Sequence, residues 1–434
     1  MSNEVAIGIA GLVVLLAAFL TGIEIGFAMA IIGFLGFGYI VSTEAALNIL
    51  ARDIMEVFSS YGYTMIPLFV LMGQLAHHAR ISRKLYDTAD KFVGHVPGGL
   101  AMATVLGAVV FKMLCGSAVA TAATFASIAV PEMRKYQYND KLSAGIVASV
   151  GGLGCLIPPS VSLIIYGLIV EESIGRLFLA GIIPGLILAL FFAVIIFAWC
   201  RINPNIGPKG VKSTWEERWR SLPVVIWPVL IFAVVLGGLI KGFFTPTESA
   251  SIGAFAVFLF SVLRKDMGFK EIVRSIADSF RTSIMLFMII AGSTVFGHFL
   301  IVTKIPLIAA DWVAGLALPR FLIVILILFI YQLGGSFMDD LAFMVLATPI
   351  FFPIIVKLGY DPIWFGIMIG INLIIGVVIP PVAANVFAVR TVTGLSFGVI
   401  YSGVYPFLIA MVICGILIFI FPQIALFLPK ILMG

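Results

Sequence analysis

The chain has 434 residues, 62% of them hydrophobic and only 11% charged, with a mean hydropathy of +1.19 and a formal net charge of +5. Soluble domains carry about twice that share of charge; here apolar runs of about 18 residues or more recur along the length, which makes the chain a polytopic helical membrane protein. The runs are continuous rather than alternating, which excludes a β-barrel, and the basic residues fall in short loops, where they signal orientation rather than a nucleic-acid surface.

In chain order, "MSNEVAIGIAGLVVLLAAFL" lacks a basic n-region and a small-residue cleavage site, and a second apolar run follows at once. It reads as a retained first span, not a cleaved signal. Candidate spans cover about 5–20, 23–41, 63–78, 142–168, 179–199, 223–242, 248–263, 282–302, 363–389 and 402–422. Two apolar stretches, about 99–130 and 320–356, are too long for one span and have soft centres, "KMLCGSAVATAAT" (Lys112 to Thr124) and "QLGGSFMDDLAF" (Gln332 to Phe343). Each reads as a helix, a turn and a helix that re-enters the membrane. Arg80, Arg83, Lys84 and Lys91 precede the first stretch; Arg134, Lys135 and Lys141 follow it. Basic flanks on both sides put both ends on the cytoplasmic face, as a re-entrant hairpin requires. The same count makes 200–222 and 264–281 cytoplasmic and both termini external. The segments 79–98 and 264–283 mix apolar and charged residues, as amphipathic surface helices do. Cys115, Cys155, Cys200 and Cys414 sit in apolar stretches without paired spacing, so neither a disulfide nor a zinc site is expected.

The chain also repeats itself. Sliding it by 222 residues aligns 125–184 with 347–406, with 11 of 60 positions identical. All four prolines of the first window find a proline: Pro131 with Pro353, Pro158 with Pro380, Pro159 with Pro381 and Pro184 with Pro406. Gly154 pairs with Gly376. The expected fold is therefore an all-α polytopic membrane protein of two repeats, 1–222 and 223–434. Each holds a re-entrant hairpin and a discontinuous helix, at about 142–168 and 363–389. By the loop charges these two helices run in opposite directions, so the repeats are inverted, an architecture used by secondary transporters.

Chemistry is expected at the breaks. "LGCLIPPSVSLII" and "IGVVIPPVAANVF" each place two prolines inside a spanning run, and proline removes a backbone donor and clashes with the preceding turn. Non-helical backbone is tolerated at membrane depth where it is buried in protein or lines a cavity, and freed carbonyls can coordinate Na⁺. The competing reading is a kink absorbed by neighbouring helices. The first hairpin centre offers Gly116, Ser117, Thr121 and Thr124; small residues there also serve close helix packing. The second offers Gly334, Gly335, Ser336 and two adjacent carboxylates, Asp339 and Asp340, each costing about 2.5–3.5 kcal/mol to insert. One of the pair should face a cation, a cavity or a partner. Lys112 is a loose counterpart in the first hairpin, although the repeat alignment does not pair these charges. Asn372, Asn385 and Arg390 are the polar groups nearest the second break; Arg390 is either a carboxylate fork or a snorkelling residue at a span end. Ser160 and Ser162 can add hydrogen bonds at the first break or simply bond back to their own helix. Glu24 and Glu248 read as helix-start residues, and the spacing of His77, His78, His95 and His298 suits no metal site.

"GSAVATAA", "GGLGCLIPPS", "TPTESAS", "LATPIFFPIIVKLGYDP" and "NLIIGVVIPPVAANVF" together resemble the large membrane subunit of tripartite ATP-independent periplasmic (TRAP) transporters, over nearly the whole chain. The resemblance implies a Na⁺-driven importer of organic acids in a bacterial inner membrane, with no cofactor beyond the coupling ion. It would work with a small four-helix membrane subunit and a periplasmic substrate-binding protein, by an elevator-type motion. It also implies one Na⁺ site at Gly116, Ser117, Thr121, Gly154 and Pro158. The other would use Gly335, Ser336, Asp339, Asp340, Thr348, Gly376 and Pro380, with substrate between the hairpin tips near Ser160, Ser162, Asn372, Asn385 and Arg390. "PPVAAN" departs from the glycine expected after "PPV". The substrate class stays open among C4-dicarboxylates, sialic acid and other sugar acids. The rival readings are a stand-alone Na⁺/dicarboxylate or citrate symporter and, remotely, an intramembrane aspartyl enzyme using Asp339 and Asp340.

Overall fold

The computed structural model describes residues 3–315 and 318–433, and no strand occurs among them. Met1, Ser2 and Gly434, on which the expected placement of the termini partly bears, lie outside the described residues. The first half opens with α1 (Asn3–Leu20), α2 (Ile25–Ile40) and α3 (Thr43–Ser59), the last bent by 54° against the helix that ends in α4 (Met65–His78). After α5 (Ile81–Val93) come a hairpin of α6 (Gly99–Lys112) and α7 (Ala118–Lys135), a broken helix of α8 (Asp140–Gly151) and α9 (Val161–Ile169), and α10 (Ile174–Ile202). A short α11 (Trp215–Ser221) leads into α12 (Pro223–Ile240), α13 (Pro246–Leu263), α14 (Phe269–Val302) and α15 (Ile305–Gly315). The second hairpin is α16 (Arg320–Phe337) with α17 (Asp340–Lys357), and the second broken helix is α18 (Pro362–Gly376) with α19 (Ala384–Thr393). α20 (Phe397–Ile420) and α21 (Gln423–Leu432) end the chain.

Local chemistry sets these boundaries. Ser117, Ser160 and Asp339 cap α7, α9 and α17, each accepting a backbone N–H from the first turn, which satisfies an otherwise orphaned donor. Asp361 caps α18 with Pro362 at its first position, a place where proline loses no bond. Thr245 and Glu248 close a reciprocal capping box on α13, whereas Glu24 precedes α2 without a side-chain cap. The prolines of Pro158–Pro159 and Pro380–Pro381, both cis peptides, sit in the gaps between α8 and α9 and between α18 and α19.

Elements recur at a near-constant interval: α7 and α17 start 222 residues apart, as do α8 and α18, while α9 and α19 are 223 apart. Packing recurs with them. α2 lies on α14 as α13 lies on α4; α8 lies on α20 as α18 lies on α10; α7 lies on α19 as α17 lies on α9. The tightest crossings are glycine-mediated, because only glycine lets two backbones approach this closely. A Cβ on Gly403 would overlap the carbonyl of Lys141 at the α8–α20 crossing, and one on Gly292 would overlap the carbonyl of Gly26 at the α2–α14 crossing.

Among the described residues seven helices are long and apolar enough to cross a membrane, or eight if the bent α3–α4 pair is one span. α1, α2 and α18 are apolar but shorter. Two expectations change. The amphipathic segment at 264–283 and the span at 282–302 are one continuous 34-residue helix, α14, since no proline interrupts Phe269–Val302. α3, "TEAALNILARDIMEVFS", was not expected from hydropathy; it is capped by Ser42 and buries only Ala46, Asp53 and Val57.

Candidate functional site

Both hairpin tips and both helix breaks meet at one cavity of about 460 Å³. Cys115 to Ala120 come from the first tip and Asp339 to Leu341 from the second; Cys155, Val161 and Ser162 flank the first break and Leu373, Val377 and Ala384 the second. The opposite wall is α4 and α14, which contribute Gln74 and Thr282 as polar groups on an otherwise apolar face. That wall was not anticipated. A lone Gln in "MIPLFVLMGQLAHH" is the signal that marks it.

Each tip is stitched to its break through backbone. Gly116 lies against the carbonyl of Pro159, so close that a Cβ would stand 2.6 Å from that oxygen. In the second half the N–H of Val382 donates to the carbonyl of Ser336 at 3.2 Å. The first break is wholly buried from Gly152 to Ser160, whereas Pro380, Pro381 and Val382 are exposed. Ser160 and Ser162 share a hydrogen bond of 2.9 Å, and only Ser162 faces the cavity.

The charges diverge. Asp339 is spent partly on its capping bond from Ala342 N at 3.1 Å. Asp340 lays its carboxylate over two glycines: a Cβ on Gly335 would stand 2.7 Å from Asp340 Oδ1, and one on Gly376 would overlap the same atom. No hydrogen bond joins the two carboxylates among the described residues. Among the described residues neither an ion pair nor a hydrogen bond engages the Asp340 carboxylate, an arrangement that fits a hard cation, which prefers anionic oxygen ligands. In the first half Lys112 is fully buried and donates to the carbonyl of Ser117 at 2.6 Å. Thr121 is buried and donates to that same carbonyl at 2.9 Å.

Of the expected residues that do not line the cavity, four are engaged in other contacts. Thr348 is two turns along α17, where its hydroxyl donates to Met344 O at 2.6 Å and accepts from Tyr331 OH at 3.1 Å. Asn372 pins the hairpin instead, donating to Leu328 O at 2.9 Å. Asn385 joins the two broken helices, donating to Ala148 O at 2.9 Å, and its buried Oδ1 has no partner among the described residues. Arg390 is exposed at the end of α19 with its guanidinium 3.9 Å above the Phe397 ring, and it does not line the cavity. Of the two alternatives for Arg390, the stacked surface position is the one observed.

Further along α4, α7 and α14, where α5 begins, is a second cavity of about 440 Å³, lined by Arg80, Arg83, Lys270, Arg274 and Glu271 together with His77 and His78. His77 bonds Thr124 at 2.7 Å and His78 bonds Asp278 at 3.0 Å. Among the described residues no three His, Cys, Asp or Glu side chains gather as a metal site.

Paired hairpins and paired broken helices around a cavity define a membrane transport protein. Residues 12–424 match the family model of the tripartite ATP-independent periplasmic transporter, DctM component, and the chain belongs to that family. It is similar to the C4-dicarboxylate TRAP transporter large permease protein DctM of Pseudomonas aeruginosa, at 36% identity over 88% of this chain and 89% of that one. It is also similar to the sialic acid TRAP transporter large permease protein SiaM of Vibrio cholerae, at 29% identity over 95% and 96%. The isethionate TRAP transporter permease protein DctMQ of Oleidesulfovibrio alaskensis is 31% identical over 86% of this chain and 58% of its own. Among solved structures, the fold matches the YdaH transporter of Alcanivorax borkumensis with a TM-score of 0.57 at 12% identity, covering 88% and 89% of the two chains. The chain is thus a TRAP large permease, a transport protein rather than an enzyme.

Proposed function

We propose that this permease imports a carboxylate-bearing organic acid across the bacterial inner membrane, driven by Na⁺, together with a small membrane subunit and a periplasmic binding protein. The observation that carries the coupling reading is the unpartnered Asp340 carboxylate laid over Gly335 and Gly376 at the edge of the shared cavity. A transport site that binds cation and substrate side by side couples the two, because each stabilises the arrangement the other needs. An anionic cargo is supported by the four Lys and Arg side chains of the second cavity, which outnumber its one carboxylate, Glu271, and raise the local concentration of anions. The named cargoes of relatives, C4-dicarboxylate, sialic acid and isethionate, share a negative charge, and none of them selects a substrate here. By the loop charges the second cavity faces the cytoplasm, both termini face the periplasm, and the two halves are inverted. The hairpins and broken helices then move as one body against α2, α4, α13 and α14, as an elevator.

Reconstitution tests this. Uptake of candidate organic acids into proteoliposomes should require an inward Na⁺ gradient, the small subunit and the binding protein. Robust uptake by this chain alone would favour the stand-alone symporter, and uptake indifferent to Na⁺ would refute the coupling.

A further inference from the structure

The two halves place opposite charges at equivalent positions. Gly154 and Gly376 are related by the 222-residue shift. A Cβ on Gly376 would overlap the carboxylate oxygen Oδ1 of Asp340; a Cβ on Gly154 would overlap the ammonium nitrogen Nζ of Lys112. The side chains reach these glycines from different arms. Asp340 starts the second arm of its hairpin, whereas Lys112 ends the first arm of its own, which is why alignment of the sequences does not pair them. In the first half the nitrogen sits where hairpin and break meet. It donates 2.6 Å to Ser117 O, the oxygen that also accepts from Thr121, beside a tip whose Gly116 abuts Pro159 O. Among the described residues Lys112 pairs with no carboxylate, although it is fully buried.

A buried ammonium without a carboxylate is costly unless carbonyl oxygens take the place of water, and oxygens freed from helix breaks are the ligands a small monovalent cation would use. We propose that the Lys112 ammonium is a tethered cation that permanently fills the first-half counterpart of the Asp340 site, so that only the second half binds an exchangeable Na⁺. This rests on the Na⁺ reading above. It removes Gly116, Ser117, Thr121, Gly154 and Pro158 from the exchangeable ligands, and it makes the chain's Na⁺ stoichiometry one lower than two equivalent sites would give.

The test is equilibrium binding of radioactive sodium to the purified full-length chain in detergent, with melting curves recorded on the same samples. Lys112→Ala leaves the carbonyls in place and removes the ammonium, so it should bind one more Na⁺ per chain than wild type, and Na⁺ should raise its melting temperature further. Lys112→Gln keeps a donor for Ser117 O without the charge, serves if the alanine variant does not fold, and should also gain a bound Na⁺. An unchanged count in a folded Lys112 variant overturns the proposal. Asp340→Asn should lose one Na⁺ relative to wild type. A wild type that binds none refutes the Na⁺ reading at Asp340, and the tethered cation is then decided by whether Lys112→Ala gains one.

Discussion

Gly376→Ala is the sharpest perturbation of the second-half site. The new methyl would overlap Asp340 Oδ1, and ordinary contact needs about 3.5 Å, so the carboxylate must retreat by about 1.5 Å. Its neighbour Gly335 is also in contact with Oδ1, which closes one direction of escape. For a cation that starts about 2.4 Å from the oxygen, that retreat weakens the attraction by about 2–3 kcal/mol at an effective dielectric of about 20. The half-saturating Na⁺ concentration should rise about 30- to 150-fold. The assay is initial uptake rate against external Na⁺ in proteoliposomes that hold the complete system. Gly154→Ala is the matched control: its methyl meets Lys112 instead, so it should lower stability and leave the Na⁺ dependence where it was. A Gly376→Ala variant within two-fold of wild type in Na⁺ dependence would show that Asp340 does not hold the ion.

Arg390→Ala should transport at near wild-type rate, since the guanidinium is stacked on Phe397 away from the cavity; loss of uptake, with normal expression, would restore it as the carboxylate fork. Asn385→Ala removes the bond to Ala148 O between the broken helices and should cost about 1–3 kcal/mol, read as a lower melting temperature in detergent. On the surface helix α5, burial holds the Asp90 carboxyl above its usual range, helped by Asp87 and Glu132. A carboxyl raised in the folded state favours folding at acid pH and opposes it as pH rises through the raised value. Asp90→Asn should therefore raise the melting temperature at neutral pH, and the gain should shrink as pH falls below the ordinary aspartate value of about 3.9.

The sequence carried the class, the hairpins and both breaks, because each depends on local chemistry that survives any packing. Double prolines in apolar runs, small residues at mid-stretch and basic flanks mean the same thing wherever the helices go. Side-chain direction was another matter. Asn372 and Asn385 are polar residues beside a break, and only the packed positions of Leu328 O and Ala148 O show that they tie helices together. Arg390 was ambiguous on paper for the same reason. Thr348 belongs to the short motif "LATP", and its place two turns along α17, bonded to Met344 O, is set by the helix rise and packing rather than by the motif. The missed α3 has a helical pattern too weakly apolar to register as a span, while the continuity of α14 was legible from the lack of a proline in Phe269–Val302 and was obscured by reading charge and hydropathy as separate elements.

The relation between Lys112 and Asp340 shows why two halves with one backbone plan need not do the same job. The fold supplies each half with a hairpin tip, a broken helix and a glycine between them. On the proposal above, a negative side chain at that glycine leaves the pocket one positive charge short, for a mobile cation to complete. A positive side chain at the other glycine completes its pocket from within, at no cost in free ion. Two exchangeable ions would have to be dehydrated and ordered in every cycle; one tethered ammonium is ordered once, on folding. The proposed asymmetry would fix the coupling ratio in covalent structure, and exchanging the two charges, Lys112→Asp with Asp340→Lys, should move the Na⁺ site from the second half to the first. Sodium protection of the Ser117 tip from proteolysis or amide exchange, with loss of protection at the Ser336 tip, is the expected pattern for a folded double variant. Retention of protection at the Ser336 tip would mean that the glycine-facing charge does not decide where the ion binds.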